Sequence, residues 1–281
     1  MVSGAAGATG GRAVIVNADD FGESAEITRG IVECIDAGVL TSTTILANMP
    51  ATGEALRLAA ERGRGASFGV HLNLCEGPSL TAAPSLVDGS RRFHRKRVQA
   101  LRAFARRLDP ADVERELRAQ IARVADAGVA ISHLDGHKHL HQLPGVGPIV
   151  ARLAGEFGIE RVRCTLERGL GAAAPVASAA SRFVRIGLAR VFAPVARARG
   201  LRFPERTLDL AQLMGLAEEG AQRALLAGPE RSLEIFCHPG HATSASPRSA
   251  GRERELRYLR TGALTQRVRD AGGRLATFWE L

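Results

Sequence analysis

Short β-branched runs alternate with helical stretches along almost the whole chain, and that alternation restricts the fold more than any other feature. RAVIVNAD reads as a strand and SAEITRGIVECIDAG as a helix, with Ile27, Ile31, Cys34 and Ile35 apolar and Gly38 closing it. LTSTTILANM (40–49) is strand-like, GEALRLAAERG (53–63) a short helix, and ASFGVHLNL (66–74) a strand again. Residues 75–97 read as loop, with Pro78, Pro84, Gly89 and the basic cluster RRFHRKR. Asp109-Pro110 opens a helix with the stripe Val113, Leu117, Ile121 and Val124, closed by Gly128. VAISHLDGH (129–137) alternates as a strand, a helix runs from Pro144 to near Gly158, and RVRC (161–164) is a short strand. SRFVRIGLARVFAPV predicts a helix broken near Pro194, and TLDLAQLMGL leads to another near 217–227. LEIFCHPG (233–240) is a strand, GRERELRYLRTGALTQRVRDAG one long helix, and RLATFWEL a final strand.

Such an order predicts an all-parallel α/β sheet, open or closed. The strand count is near that of a barrel, without deciding between seven and eight, and 281 residues suit one barrel. No linker or change of composition interrupts the chain, so residues 13–281 are expected to form a single domain. The leader MVSGAAGATGGR (1–12) is small and Gly-rich without an apolar segment, and reads as flexible rather than as a signal peptide. No run approaches the ~18 apolar residues of a membrane span. Cys34, Cys75, Cys164 and Cys237 are scattered with no CxxC pair, which points away from zinc knuckles and disulfides and towards a reducing cytoplasm. The net charge of +9 comes from arginine, since only Lys96 and Lys138 are lysines. Aromatics are only 4% and no nucleic-acid-binding pattern is visible, so no nucleic-acid partner is expected. The charge then belongs to a solvated surface, or attracts an anionic substrate or a membrane face.

The chemistry sits at strand ends. VIVNADDFGES sets Asp19 and Asp20 against an apolar run, where an unpaired carboxylate is costly to bury. A solvated turn also fits that stretch taken alone. His71 in GVHLNL and the segment HLDGHKHLH weigh against it. In the latter, His133, Asp135, His137, His139 and His141 fall at spacing two, and an extended chain would point all five to one face. Parallel α/β folds bring C-terminal strand ends together. One carboxylate and two histidines make an open metal site, leaving the second aspartate free to activate water. His238 in FCHPGH lies at another strand mouth and can serve as a general acid. Two rival readings use the same residues differently. One is a non-haem iron oxygenase with this facial triad; the other is a non-catalytic, Arg-rich binder of anionic glycans or nucleic acid.

The segments VNADDFG (16–22), GVLTSTTILAN (38–48), FGVHLNLCEGPSL (68–80), SHLDGHKHLHQLP (132–144), IERVRC (159–164) and IFCHPG (235–240) occur in the order that resembles the YdjC-like (ChbG-type) carbohydrate deacetylase family. The resemblance implies a TIM-barrel-like (β/α) deacetylase domain, distorted or seven-stranded. It makes Asp20, His71 and His137 the ligands of one divalent metal, zinc first, with magnesium, cobalt or manganese as alternatives. It implies Asp19 as the base and His238 as the acid. His139 and His141 would line the sugar pocket or support the site, and Arg163 would contact substrate or orient Asp19. The implied reaction removes an N-acetyl group from an amino sugar or glycoconjugate, giving acetate and a free amine. An Asp-activated water would attack a metal-polarised amide carbonyl. Another metal-dependent C–N or ester hydrolase acting on a non-sugar acyl group is the alternative, and a homo-oligomer is allowed. Residues 167–212 match the family poorly, so Arg182, Arg185 and Arg190 are expected to shape substrate choice rather than chemistry.

Overall fold

The structure is a computed structural model that describes residues 11–167, 176–242 and 249–281, with the backbone alone over 176–182. Most of the expected leader, and the side chain of Arg182, therefore lie outside the described residues; Arg12 is already the first residue of a strand.

Seven parallel strands form one sheet: β1 (Arg12–Phe21), β2 (Ser42–Ile45), β3 (Ser67–Leu72), β4 (Ile131–Gly136), β5 (Arg206–Asp209), β6 (Ser232–Cys237) and β7 (Gly273–Leu275). Their order is β4-β3-β2-β1-β6-β5, with β7 alongside the first residues of β1. Between β4 and β5, the irregular segment 161–167 supplies the missing stave. Leu134 bridges Val162, and Glu167 bridges Thr207, both in parallel. The ring is thus a distorted barrel of seven staves, six strands and this segment, with β7 paired to the start of β1 alone; this agrees with the distorted, seven-stranded form that the resemblance implies.

Ten helices are described: α1 (Ala25–Asp36), α2 (Thr52–Arg62), α3 (Lys96–Phe104), α4 (Pro110–Asp126), α5 (Gly147–Glu156), α6 (Val176–Ala198), α7 (Leu210–Met214), α8 (Glu219–Leu226), α9 (Ser249–Arg260) and α10 (Ala263–Asp270). Local chemistry starts them where the sequence indicated. The Ser24 hydroxyl accepts from Ile27 N at 3.3 Å, and the Asp109 carboxylate from Ala111 N at 2.9 Å with Pro110 first in the helix. The α4 stripe Val113, Leu117, Ile121 and Val124 is buried in the layer between sheet and helices, with Val14, Val16 and Ala18 of β1. The opposite face of β1, Ile15, Asn17 and Asp19, is also buried and points into the barrel.

Other expectations are corrected. The histidine ladder does not stay extended. β4 ends at Gly136, and 137–142 form a tight 3-10 coil in which Lys138 and His139 adopt φ of 54° and 62°. Helix α6 runs unbroken through Pro194, which lies on its exposed side four residues before the end. The long C-terminal helix divides into α9 and α10 at Gly262, whose φ of 73° only glycine adopts without cost. The last strand is three residues long and gives way to a single turn at Phe278–Glu280. Helix α3 begins in the last residues of the expected loop and runs beyond it, with only Gln99 and Ala103 of it buried. All four cysteines are buried and unpaired, and among the described residues no helix is long and apolar enough to cross a membrane.

Candidate metal centre

Adjacent residues on a regular strand point to opposite faces, so Asp19 and Asp20 should not share a site. The end of β1 resolves this. Its register with β2 shifts between Ala18 and Phe21, and Asp20 takes a φ of 71°. Left-handed backbone is one of the conformations that Asp tolerates. The twist brings both carboxylates to the mouth formed by the C-terminal strand ends.

Asp20 faces two imidazoles. Its Oδ1 lies 2.9 Å from His137 Nδ1 and 3.4 Å from His71 Nε2, yet it is buried with no hydrogen-bond partner. Each imidazole gives its other nitrogen to a carboxylate. His71 Nδ1 lies 2.7 Å from Asp135 Oδ1, and His137 Nε2 lies 2.8 Å from Glu76 Oε2. Donating N–H to those acids leaves the inner nitrogens with lone pairs aimed at Asp20. This is how metal-ligating histidines are oriented. Asp20, His71 and His137 are thus one of two groups, among the described residues, with donor atoms close enough to hold one ion. In the other group, Asp19, His71 and Asp135, both carboxylates are already bonded to Arg163.

Charge balance agrees with this fit. Asp19, Asp20, Asp135 and Glu234 are buried together with two guanidiniums, Arg163 and Arg252. With neutral imidazoles the buried carboxylates outnumber the guanidiniums, which favours a bound cation. Without the ion the imidazoles take up protons instead. Burial opposes this at His71, but Asp135 and Asp19 outweigh it and push the group up to about 10. His137 is also raised, burial being outweighed by Asp20 and Glu76. Asp20 is held well below the usual carboxylate range, because His137, His71 and Arg252 overcome its desolvation.

Asp19 is held differently. Its two oxygens accept from Arg163 at 2.8 and 2.7 Å, and Oδ1 also accepts from Asn17 Nδ2 at 2.9 Å. Arg163 is completely buried and also reaches Asp135 Oδ2 at 2.7 Å and Glu234 Oε1 at 2.6 Å. Burial drives Glu234 up to about 7 even though Arg163 pulls the other way. His238 Nε2 is 3.8 Å from Asp19 Oδ2, and the imidazole is partly open to solvent. Its backbone N–H donates to Glu255 Oε2 at 2.6 Å. The turn that carries it packs against α1, where a Cβ on Gly30 would lie 2.9 Å from Gly240 Cα.

Six residues singled out from the sequence therefore meet at one mouth: Asp19, Asp20, His71, His137, Arg163 and His238. Arg163 reaches Asp19 rather than the surface. His139 lies against Phe236 with its Nδ1 unpartnered, and His141 is buried with Nε2 3.0 Å from the Arg163 carbonyl oxygen. Other contributors went unread. The sequence pattern marks Asp135 only as part of the ladder and does not single out Glu76, Arg252 or Thr44. Thr44 Oγ1 lies 3.1 Å from His71 Nδ1 and donates to Asp135 Oδ2 at 3.2 Å. Arg252 donates to both Asp20 Oδ2 and Glu23 Oε2 at 2.6 Å. A signal for Glu234 existed: LEIFCH places Glu234, Phe236 and His238 on one strand face.

The family model described as "YdjC-like protein" matches residues 13–270. A carbohydrate deacetylase of Geobacillus stearothermophilus is 35% identical over 273 residues, covering 96% of this chain and 98% of the relative. A carbohydrate deacetylase of Brevibacillus brevis is 42% identical over 147 residues, 52% of this chain and 57% of the relative. In fold, a crystal structure from Enterococcus faecalis V583, named for cellobiose-phosphate cleavage, superposes with a TM-score of 0.75. It is 23% identical and covers 96% of this chain and 99% of its own.

Proposed function

The chain belongs to the YdjC-like protein family, and from that premise we propose that it is a metal-dependent carbohydrate N-deacetylase, hydrolysing an N-acetylated amino sugar or its glycoconjugate to acetate and a free amine. The full-length similarity to a carbohydrate deacetylase supports the substrate class. One observation carries the chemistry: the unpartnered Asp20 Oδ1 faces two imidazole nitrogens, beside a second carboxylate fixed by Arg163.

In this reading Asp20, His71 and His137 hold one divalent ion, zinc by its one-carboxylate, two-imidazole set. When bound, the ion supplies Lewis acidity towards an amide carbonyl and a water molecule. Asp19 takes the proton of the attacking water, and Arg163 and Asn17 keep its carboxylate in one orientation. His238 lies on the open side of Asp19 and gives a proton to the nitrogen as the C–N bond breaks, so that it departs as an amine. Asp135 and Glu76 hold the two imidazoles in the tautomers that bind metal. His139 stands nearby, where it can line the sugar pocket. The buried, unpaired cysteines suit a cytoplasmic location.

The test is an acetate-release screen over N-acetylated sugars and glycoconjugates, with the wild type beside Asp19→Asn. The near-isosteric amide should keep the metal and lose about 10²–10⁴-fold in turnover, the usual contribution of a general base. Asp19→Asn turning over at the wild-type rate would assign the base elsewhere. Release only from non-sugar acyl amides or esters would move the enzyme to another hydrolase class.

A further inference from the structure

Two helices carry the large apolar side chains that stand in solvent among the described residues. Val98, Leu101 and Phe104 are on α3; Phe183, Val184 and Val191 are on α6. Leu101 is 71% exposed and Phe183 70%. On α6 the outward stripe is Phe183, Val184, Gly187, Arg190, Val191 and Pro194, while Ala189, Phe192, Ala193 and Ala196 face inward and are buried. A helix that is apolar on both sides belongs in a covered position. Both helices pack on the 137–142 coil at the mouth of the barrel.

Charge narrows what covers them. No acid occurs between Asp88 and Asp109, while that stretch holds seven arginines and Lys96. Residues 176–198 add four arginines and again no acid. Those twelve cations exceed the whole chain's net +9, so the remainder is net acidic. Arg185 is engaged by Glu167, but Arg95 and Arg97 line an open cleft of ≈ 1020 Å³ with Lys96, Val98 and Lys138. A second copy of this chain would set cations against cations across an isologous contact. An anionic layer with an apolar interior satisfies both features at once.

We propose that α3 and α6 form one peripheral docking surface for an anionic lipid bilayer, inserting their exposed apolar side chains at the headgroup boundary while the flanking arginines hold the headgroups. The barrel mouth between them then opens towards the membrane surface. The proposal does not depend on the reaction, since docking is measured without turnover.

The test is sedimentation of the full chain with vesicles of phosphatidylcholine alone, or of phosphatidylcholine mixed with phosphatidylglycerol. The protein should bind the mixed vesicles, be released by raised ionic strength, and ignore the neutral ones. Phe104→Glu with Phe183→Glu should weaken binding by about tenfold or more, as should Arg97→Gln with Arg102→Gln and Arg106→Gln. Leu101→Ser with Val184→Ser, both at exposed positions, asks the same question if the glutamates unfold the chain. No binding to anionic vesicles, equal binding to both vesicle types, or variants binding like the wild type would overturn the proposal. So would a dimer in solution that the same substitutions dissociate, which would give the surface to a second copy.

Discussion

Two buried histidines on neighbouring strands of the same barrel have opposite fates. His71, at the mouth on β3, is pushed up to about 10; His133, deeper on β4, is pushed down to about 3. Burial opposes the charged form in both, and their exposures are 1% and 0%. Their neighbours decide the outcome. His71 is bonded to Asp135 and faces Asp20 and Asp19. The His133 ring stacks on Phe278 with centroids 3.5 Å apart and fits over Gly69, where a Cβ would come within 2.5 Å of it. The floor of the barrel is closed by ring packing, and the mouth by carboxylates. An imidazole among carboxylates binds a proton or an ion; His133, whose burial is reinforced by the charges of Arg163, His71 and Arg161 and opposed by Asp135 alone, stays neutral.

The sharpest way to break this contrast is to delete one imidazole at each end. His71→Ala or His137→Ala should abolish both stoichiometric metal and activity, because two remaining donors make a poor site and the ion's Lewis acidity contributes several kcal/mol to such reactions. His133→Ala should keep its metal. Metal analysis of the purified variants checks both halves, and a metal-free His133→Ala, or a fully loaded His71→Ala, would erase the distinction.

Arg163 carries the second prediction, on stability. It is the one cation touching Asp19, Asp135 and Glu234 at once among the described residues. Replacing one partner of a buried ionic cluster leaves charges uncompensated, which typically costs about 3–5 kcal/mol. Arg163→Gln should lose that much in denaturant unfolding, and Asp135→Asn in the same background should recover part of it. A loss below about 1 kcal/mol would mean that water or protonation of Glu234 replaces the guanidinium without strain.

Much of the mouth was legible in the sequence because ligands sit where apolar runs stop. Asp19, Asp20, His71 and His238 each end or closely follow a strand, and the eye needs only the run. The ladder in HLDGHKHLH misled from His137 onward. Spacing two predicts a common face only while the backbone is extended, and left-handed Lys138 and His139 end that. His137 still reaches the mouth, by the coil rather than by the strand. Arg252 had no signal, since an arginine in GRERELR on a helix looks solvated; only the fold brings its guanidinium 2.6 Å from Asp20. Helix α3 is the converse case: Val98, Leu101 and Phe104 recur at helical spacing but are exposed, and the surrounding arginines make the stretch read as solvated.

The smallest expected effect concerns the floor. His133 is neutral in the folded barrel down to about pH 3, while an unfolded histidine titrates near 6.5. Between those values the unfolded chain binds the extra proton, so stability rises with pH across that window and is lost as pH falls through it. His141, pushed down to about 4 by burial, adds a second, narrower contribution of the same sign. His133→Phe keeps a ring to stack on Phe278 and removes the proton site. It also gives up the contact with the Ser132 hydroxyl, 2.8 Å from Nδ1. Its stability at pH 7 should change little, by about 1 kcal/mol in either direction. The difference between variant and wild type should then grow in the variant's favour as pH falls from about 6.5 towards 4. Parallel stability–pH curves for the two proteins over that range would mean that His133 is not held neutral in the fold, and that burial beside cations does not separate the floor from the mouth.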